Sequence, residues 1–148
     1  NREYAQLFTS LFRIRKIHKT YIALTHGKIS KEIKTLKDNL VTIDNGKKII
    51  QKAISHLRIL KMSMDFSYVE LNPITGRKHQ LRKQLYNIGN PIIGDDKYFI
   101  DRRADKMKIN AKNLLLHAYK IKFMINNTQY NFKAEYDDEF EKFLKKNF

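Results

Sequence analysis

The hydrophobic period of the chain changes at Pro73–Gly76, and that change constrains the fold more than any other feature. Upstream, two apolar segments, Ile54 to Met64 and Phe66 to Leu71, are separated near Asp65 and predict paired antiparallel strands. Downstream, Leu81, Leu85 and Ile88 recur at helical spacing until Gly89 stops the pattern. Pro73, Thr75 and Gly76 supply the turn between them. The stretch therefore predicts a strand, a tight turn and a helix. Arg77, Lys78 and His79 fall at or near the start of that helix, where unpaired backbone amides and the macrodipole favour an anion. Arg82, three residues past His79, shares its face beside the buried stripe. An arginine so placed either holds a carboxylate or phosphate or is an ordinary exposed helix residue.

Strand patterns dominate the rest. His18 to Leu24 predicts a strand with Tyr21 and Ala23 on one face, Ile22 and Leu24 on the other, and Gly27 at its end. Leu114 to Ile125 alternates, with Tyr119, Ile121, Phe123 and Ile125 facing one way and Lys120 and Lys122 the other; Gln129 to Tyr136 alternates as well. Asn126-Asn127 between them signals a hairpin, since Asn tolerates positive φ. Glu3 to about Ile14 predicts an amphipathic helix, and Asp137 and Asp138 open a last one bearing Phe140, Phe143 and Leu144, with Lys145 and Lys146 in its final turn. Lys28 to Lys52, with the turn pair Asn45-Gly46, predicts short strands and loops. Asp101 to Asn113 predicts an exposed loop or short helix. The sum is an α+β fold, a largely antiparallel mixed sheet flanked by helices, in a single domain over residues 1–148.

Thirty Lys and Arg stand against 15 Asp and Glu, and the resulting charge of +15 points to an acidic partner, most simply nucleic acid. Seven lysines between Lys28 and Lys52 form a solvated face that would strengthen salt-sensitive RNA affinity collectively. Charge interrupts every apolar run well short of the ~20 residues that a membrane helix needs, so no membrane partner is expected. The absence of cysteine excludes disulfides and a thiol nucleophile. No signal-like segment opens the chain, and a soluble, cytoplasmic, monomeric protein is expected. His18, His26, His56, His79 and His117 are scattered without metal-ligand spacing, so no metal is expected.

The run Thr75-Gly76-Arg77-x-His79-Gln80-Leu81-Arg82 closely resembles the signature of the Rlu family of ribosomal large-subunit pseudouridine synthases, the C type most of all. Three further stretches resemble that family in order: Lys19 to Leu24 its tyrosine motif, Gly89 to Tyr98 the loop after its signature helix, and Leu114 to Ala118 its late strand. The resemblance implies isomerisation of uridine to pseudouridine in large-subunit ribosomal RNA, without metal, redox or other small-molecule cofactor. It implies three catalytic-site residues: Arg82 pairing with the family's nucleophilic aspartate, Tyr21 packing on the uracil, and Leu116 as the apolar residue against the flipped base. On residues alone, a strand tyrosine is core filler more often than a catalyst. Arg77, Lys78, His79 and Lys83 are the expected RNA contacts, and His79 supports the turn, with no acid-base role. Asp95 and Asp96 are read as structural. The family's Gly-Arg-Leu-Asp-x-x-Thr-Ser-Gly motif does not occur here, so the chain is expected to begin just after the nucleophile and to be inactive alone. Relatives usually carry His where this chain has Gln84, which bears on helix-surface contacts. The alternatives are a non-catalytic RNA-binding remnant of that scaffold, or a basic ribosomal protein, which explains the charge and leaves the four motifs as coincidence.

Overall fold

A computed structural model describes residues 15–99 and 111–148. The expected helix from Glu3 to Ile14 and most of the segment from Asp101 lie outside the described residues. In chain order the elements are β1 (Arg15–His26), β2 (Thr35–Asp44), β3 (Lys47–Met62), β4 (Phe66–Pro73), helix α1 (Gln80–Asn87), β5 (Leu116–Ile125), β6 (Thr128–Lys133) and helix α2 (Asp138–Asn147). The strands form one six-stranded sheet in the order β2-β3-β4-β1-β5-β6, and every pairing is antiparallel. The predicted α+β class holds.

Alternation along β1 sorts the core into two layers. Ala23, with Val69 and Leu71 of β4 and Leu57 of β3, packs under Leu81 and Leu85 of α1. Ile22 and Leu24, with Tyr68 of β4, pack with Phe140 of α2 on the other face. Each helix is thus a lid on one face of the sheet. Asp137 caps α2, its Oδ1 accepting from the amides of Glu139 at 2.8 Å and Phe140 at 3.4 Å.

Three expectations on strands need correction. Lys28 to Lys52 is not short strands and loops: it holds a ten-residue strand and the start of a sixteen-residue one, joined at Asn45-Gly46. Positive φ at both residues, 49° and 76°, is the mirror-image turn that suits strand twist. Leu36 and Leu40 reach the core while Lys37, Asn39, Val41 and Ile43 stand on the open face, so the mix of polar and apolar residues there masks the alternation in the sequence. The strand from Gln129 ends at Lys133 rather than Tyr136, because the chain leaves the sheet to bring the Tyr136 hydroxyl to that of Tyr68 at 2.6 Å. Tyr119 does not share a face with Ile121. A register shift opposite Thr20 and Tyr21 inserts an extra residue in β5, and Tyr119 turns against Tyr136 in the α2 layer while Ile121 lies opposite Lys19.

Candidate active site

The strand-turn-helix unit is built from a satisfied polar network. Thr75 Oγ1 accepts from the Ile54 amide at 2.9 Å and donates to Gln80 Oε1 at 2.6 Å, which also accepts from the Arg77 amide at 3.1 Å. Gln80 Nε2 donates to Ser55 Oγ at 2.8 Å, and Ser55 Oγ donates to Gln84 Oε1 at 2.7 Å. Gln84 Nε2 then reaches the carbonyls of Leu36 and Ala53, both at 3.2 Å. Gln84 is fully buried, so its departure from the family pattern concerns the attachment of α1 to β2 and β3, not the helix surface. Buried polar groups in such a network fix position because each lost partner is costly.

The network sets the first turn of α1 beside Lys19 and Tyr21 of β1. His79 stands at the N-cap with φ 54° and no side-chain cap. Its Nδ1 lies 3.1 Å from the Tyr98 hydroxyl, so its partner is a side chain from the following loop rather than local backbone. Burial, reinforced by Arg82, Lys97, Lys78 and Lys83, lowers its pKa and favours the neutral ring. Arg82 is not an exposed helix arginine: 18% of its side chain is accessible, and its Nε and Nη2 bind Asp95 side-on at 2.8 and 2.7 Å. Asp96 approaches Nη2 at 3.6 Å. The Asp95 side chain is wholly inaccessible and also accepts from the amides of Lys97 and Tyr98 at 2.9 Å. Burial opposes its ionisation, but Arg82 and those amides outweigh it and hold the carboxyl below its usual range. Arg82 is raised in turn, chiefly by its bond to Asp95. The Tyr98 ring lies 5.1 Å from the guanidinium carbon. Nη1 lies outside these bonds.

A cavity of about 490 Å³ opens where these parts meet. Tyr21, Arg82 and Leu116 all line it, as do Lys19, Arg77 and His79. Tyr21 and Leu116 share a face by register: Tyr21 is opposite Ala118, and Leu116, two residues before it, is opposite Ala23. Arg77 is tied back by its Nε to the Lys52 carbonyl at 3.0 Å. Lys78 and Lys83 are not among the lining residues, and Lys78 is exposed. Lys19 and Tyr98 are the parts that sequence reading did not single out, and the bond of Asp95, read there as structural, to Arg82 was not foreseen. All three sit inside the motifs quoted above, which was the available signal. Among the described residues no three His, Cys, Asp or Glu side chains gather as a metal site requires. The arrangement offers an apolar slot, one cationic wall and a phenol.

The sequence model of RNA pseudouridylate synthases matches residues 1–87, more than half of the chain. The chain belongs to the RNA pseudouridylate synthase family. Among its relatives, the ribosomal large subunit pseudouridine synthase C of Buchnera aphidicola subsp. Baizongia pistaciae is 35% identical over 75% of this chain and 38% of its own length. The tRNA pseudouridine synthase C of Haemophilus ducreyi is 30% identical over 83% of this chain and 58% of its own. The fold is that of human RNA pseudouridylate synthase domain containing 4, with a TM-score of 0.69 over 95% of this chain and 66% of that one, at 23% identity. The chain spans about half the length of the curated relatives it matches.

Proposed function

We propose that the protein carrying this chain isomerises uridine to pseudouridine in large-subunit ribosomal RNA, and that the chain supplies the tyrosine and arginine side of the active site. The observation that carries this reading is the convergence of Tyr21, Arg82 and Leu116 on one cavity in a member of this family. The reaction breaks the bond from N1 of uracil to the sugar and makes one from C5; the C5 hydrogen leaves and N1 gains a proton. Reactant and product are isomers, so no oxidant or nucleotide enters the balance. The nucleophilic aspartate is supplied from outside residues 1–148, and the chain alone is inactive. Arg82, held side-on by Asp95, presents its remaining guanidinium edge to keep that aspartate ionised, while Tyr21 and Leu116 bracket the extruded base. Two named relatives support ribosomal and transfer RNA respectively. The excess of 15 positive charges suits either. On this reading the enzyme is cytoplasmic and monomeric.

The test is pseudouridine formation on ribosomal and transfer RNA by the longest open reading frame containing this chain. Arg82→Ala is expected to cut turnover by two orders of magnitude or more, as roughly 3 kcal/mol of lost positioning and charge stabilisation implies, with a much smaller loss of RNA affinity. Equal losses in both would make Arg82 a phosphate contact. No pseudouridine on any RNA would sink the reading.

A further inference from the structure

A groove of about 850 Å³ lies apart from the cavity of Tyr21 and shares no lining residue with it. One wall is the loop from β1 to β2, with Lys28, Lys31 and Lys34; the other is β3 from Leu57 to Met62, six consecutive residues. Successive strand residues point to opposite faces, so a groove lined by six in a row runs along the edge of the strand. The pairing agrees. β2 begins opposite His56, and the Leu57 amide donates to the Lys34 carbonyl at 2.9 Å; beyond that point β3 continues to Met62 paired with β4 alone. The amide and carbonyl of Ile59 point to the same side as those of Leu57 and, among the described residues, meet no strand there.

An open strand edge is a template for another strand, and proteins guard such edges with charge. Guarding accounts for Lys61 but not for the rest of the groove. Lys28, Lys31 and Lys34 stand on the opposite wall, and none of the four lysines has a carboxylate within ion-pair distance among the described residues. No acid lines the groove, and half-buried Ile33, Ile59 and Met62 give it an apolar part. These features sort the possible occupants. A second copy of a chain with charge +15 is repelled by the lysines. A nucleic acid meets the lysines but makes no use of amide and carbonyl groups at strand spacing. An extended acidic peptide uses all three: its main chain continues the ladder, alternate side chains enter the apolar part and its carboxylates meet the lysines.

We propose that the groove between the β1–β2 loop and the edge of β3 receives an extended, acidic peptide segment of a partner protein as an added strand. The proposal does not depend on how the Tyr21 cavity is read. The probe is a fluorescein-labelled peptide alternating valine and glutamate, titrated with the full chain and followed by anisotropy. Two further versions carry N-methyl groups on every second amide, in one phase or the other, which removes main-chain donors from one edge and keeps every charge. The version whose donors face β3 should bind roughly tenfold more weakly or worse, and the other should bind as the unmethylated peptide does. Lys31→Glu combined with Lys61→Glu, both at exposed positions, should weaken the unmethylated peptide roughly tenfold. Ile43→Ala, exposed and outside the groove, should bind as the parent chain does. Circular dichroism melting checks that each variant folds.

No binding of the unmethylated peptide, or equal binding of all three, overturns the added strand. Equal loss in both methylated versions overturns it too, since a strand pairs through one edge only. Binding that survives the two lysine reversals puts the peptide elsewhere and counts against the groove. An oligouridylate that displaces the peptide and loses its own affinity in the same double variant would make the groove an RNA surface instead.

Discussion

Helix α2 carries its own instructions, with Asp137 at the N-cap, Asp138, Glu139 and Glu141 in the first turn and Lys145 and Lys146 in the last, whereas α1 has no side-chain cap, no acid at its start and no base at its end. Both are short, at ten and eight residues. A helix of either length is marginal by itself in water, so packing must complete both. For α2 the completion is apolar, through Phe140, which is fully buried among Tyr68, Tyr136 and the rest of its cluster. For α1 it is shared: Leu81 and Leu85 enter the apolar core, and Gln80, Gln84 and the Arg82–Asp95 pair add a polar network. Apolar packing tolerates small displacements, while a hydrogen-bond network loses partners when atoms move. The candidate Arg82 sits on the helix that the hydrogen-bond network fixes.

Substitutions at four positions break this contrast at different points. Phe140→Ala should cost the most, about 3 to 5 kcal/mol in urea unfolding, through lost burial and a cavity. Asp95→Ala should cost about 3 kcal/mol, because Arg82 and two loop amides lose their acceptor. The same site gives a pH test. The Asp95 carboxyl is lowered in the folded state, so its contribution is fully present above the unfolded value of about 4 and is lost as pH falls through the folded one. The stability gap between parent and Asp95→Asn should therefore narrow below about pH 4; a gap that widens there would contradict the ion pair. Gln84→Leu should cost about 2 kcal/mol, since Ser55 and two carbonyls are left without partners in a buried place. Asp137→Ala, smallest, should cost about 1 kcal/mol as a lost cap, and it should leave the α1 site unchanged in any RNA-binding assay.

What the sequence disclosed follows the same divide. Helix α2, both asparagine-containing turns and the two faces of β1 are encoded locally, by caps, positive-φ residues and alternation, and all are as expected. The strand-turn-helix at Pro73 was legible because the period changes there. The ten-residue β2 was not, since Leu36 and Leu40 are four apart and mimic a helical face, and Lys37 and Asn39 hide the open side. Nor was the bulge at Tyr119, which alternation alone cannot register. The three candidate residues on the cavity wall came from motif resemblance, and the cavity brings them together. The carboxylate on Arg82 did not come that way: Asp95 is thirteen residues further on, and its approach depends on how the loop folds back.

That folding back turns on Gly94. At φ 85°, a Cβ built there would lie 2.0 Å from the Asn113 carbonyl oxygen, closer than any atoms can stand. Gly94 precedes Asp95, and Asn113 leads into Leu115 and Leu116, so the cationic wall and the apolar wall of the cavity bear on each other at this one backbone crossing. A methyl group inserted between them would work as a wedge, moving both walls together. The width of the slot is thus gauged by a residue that is not among those lining it.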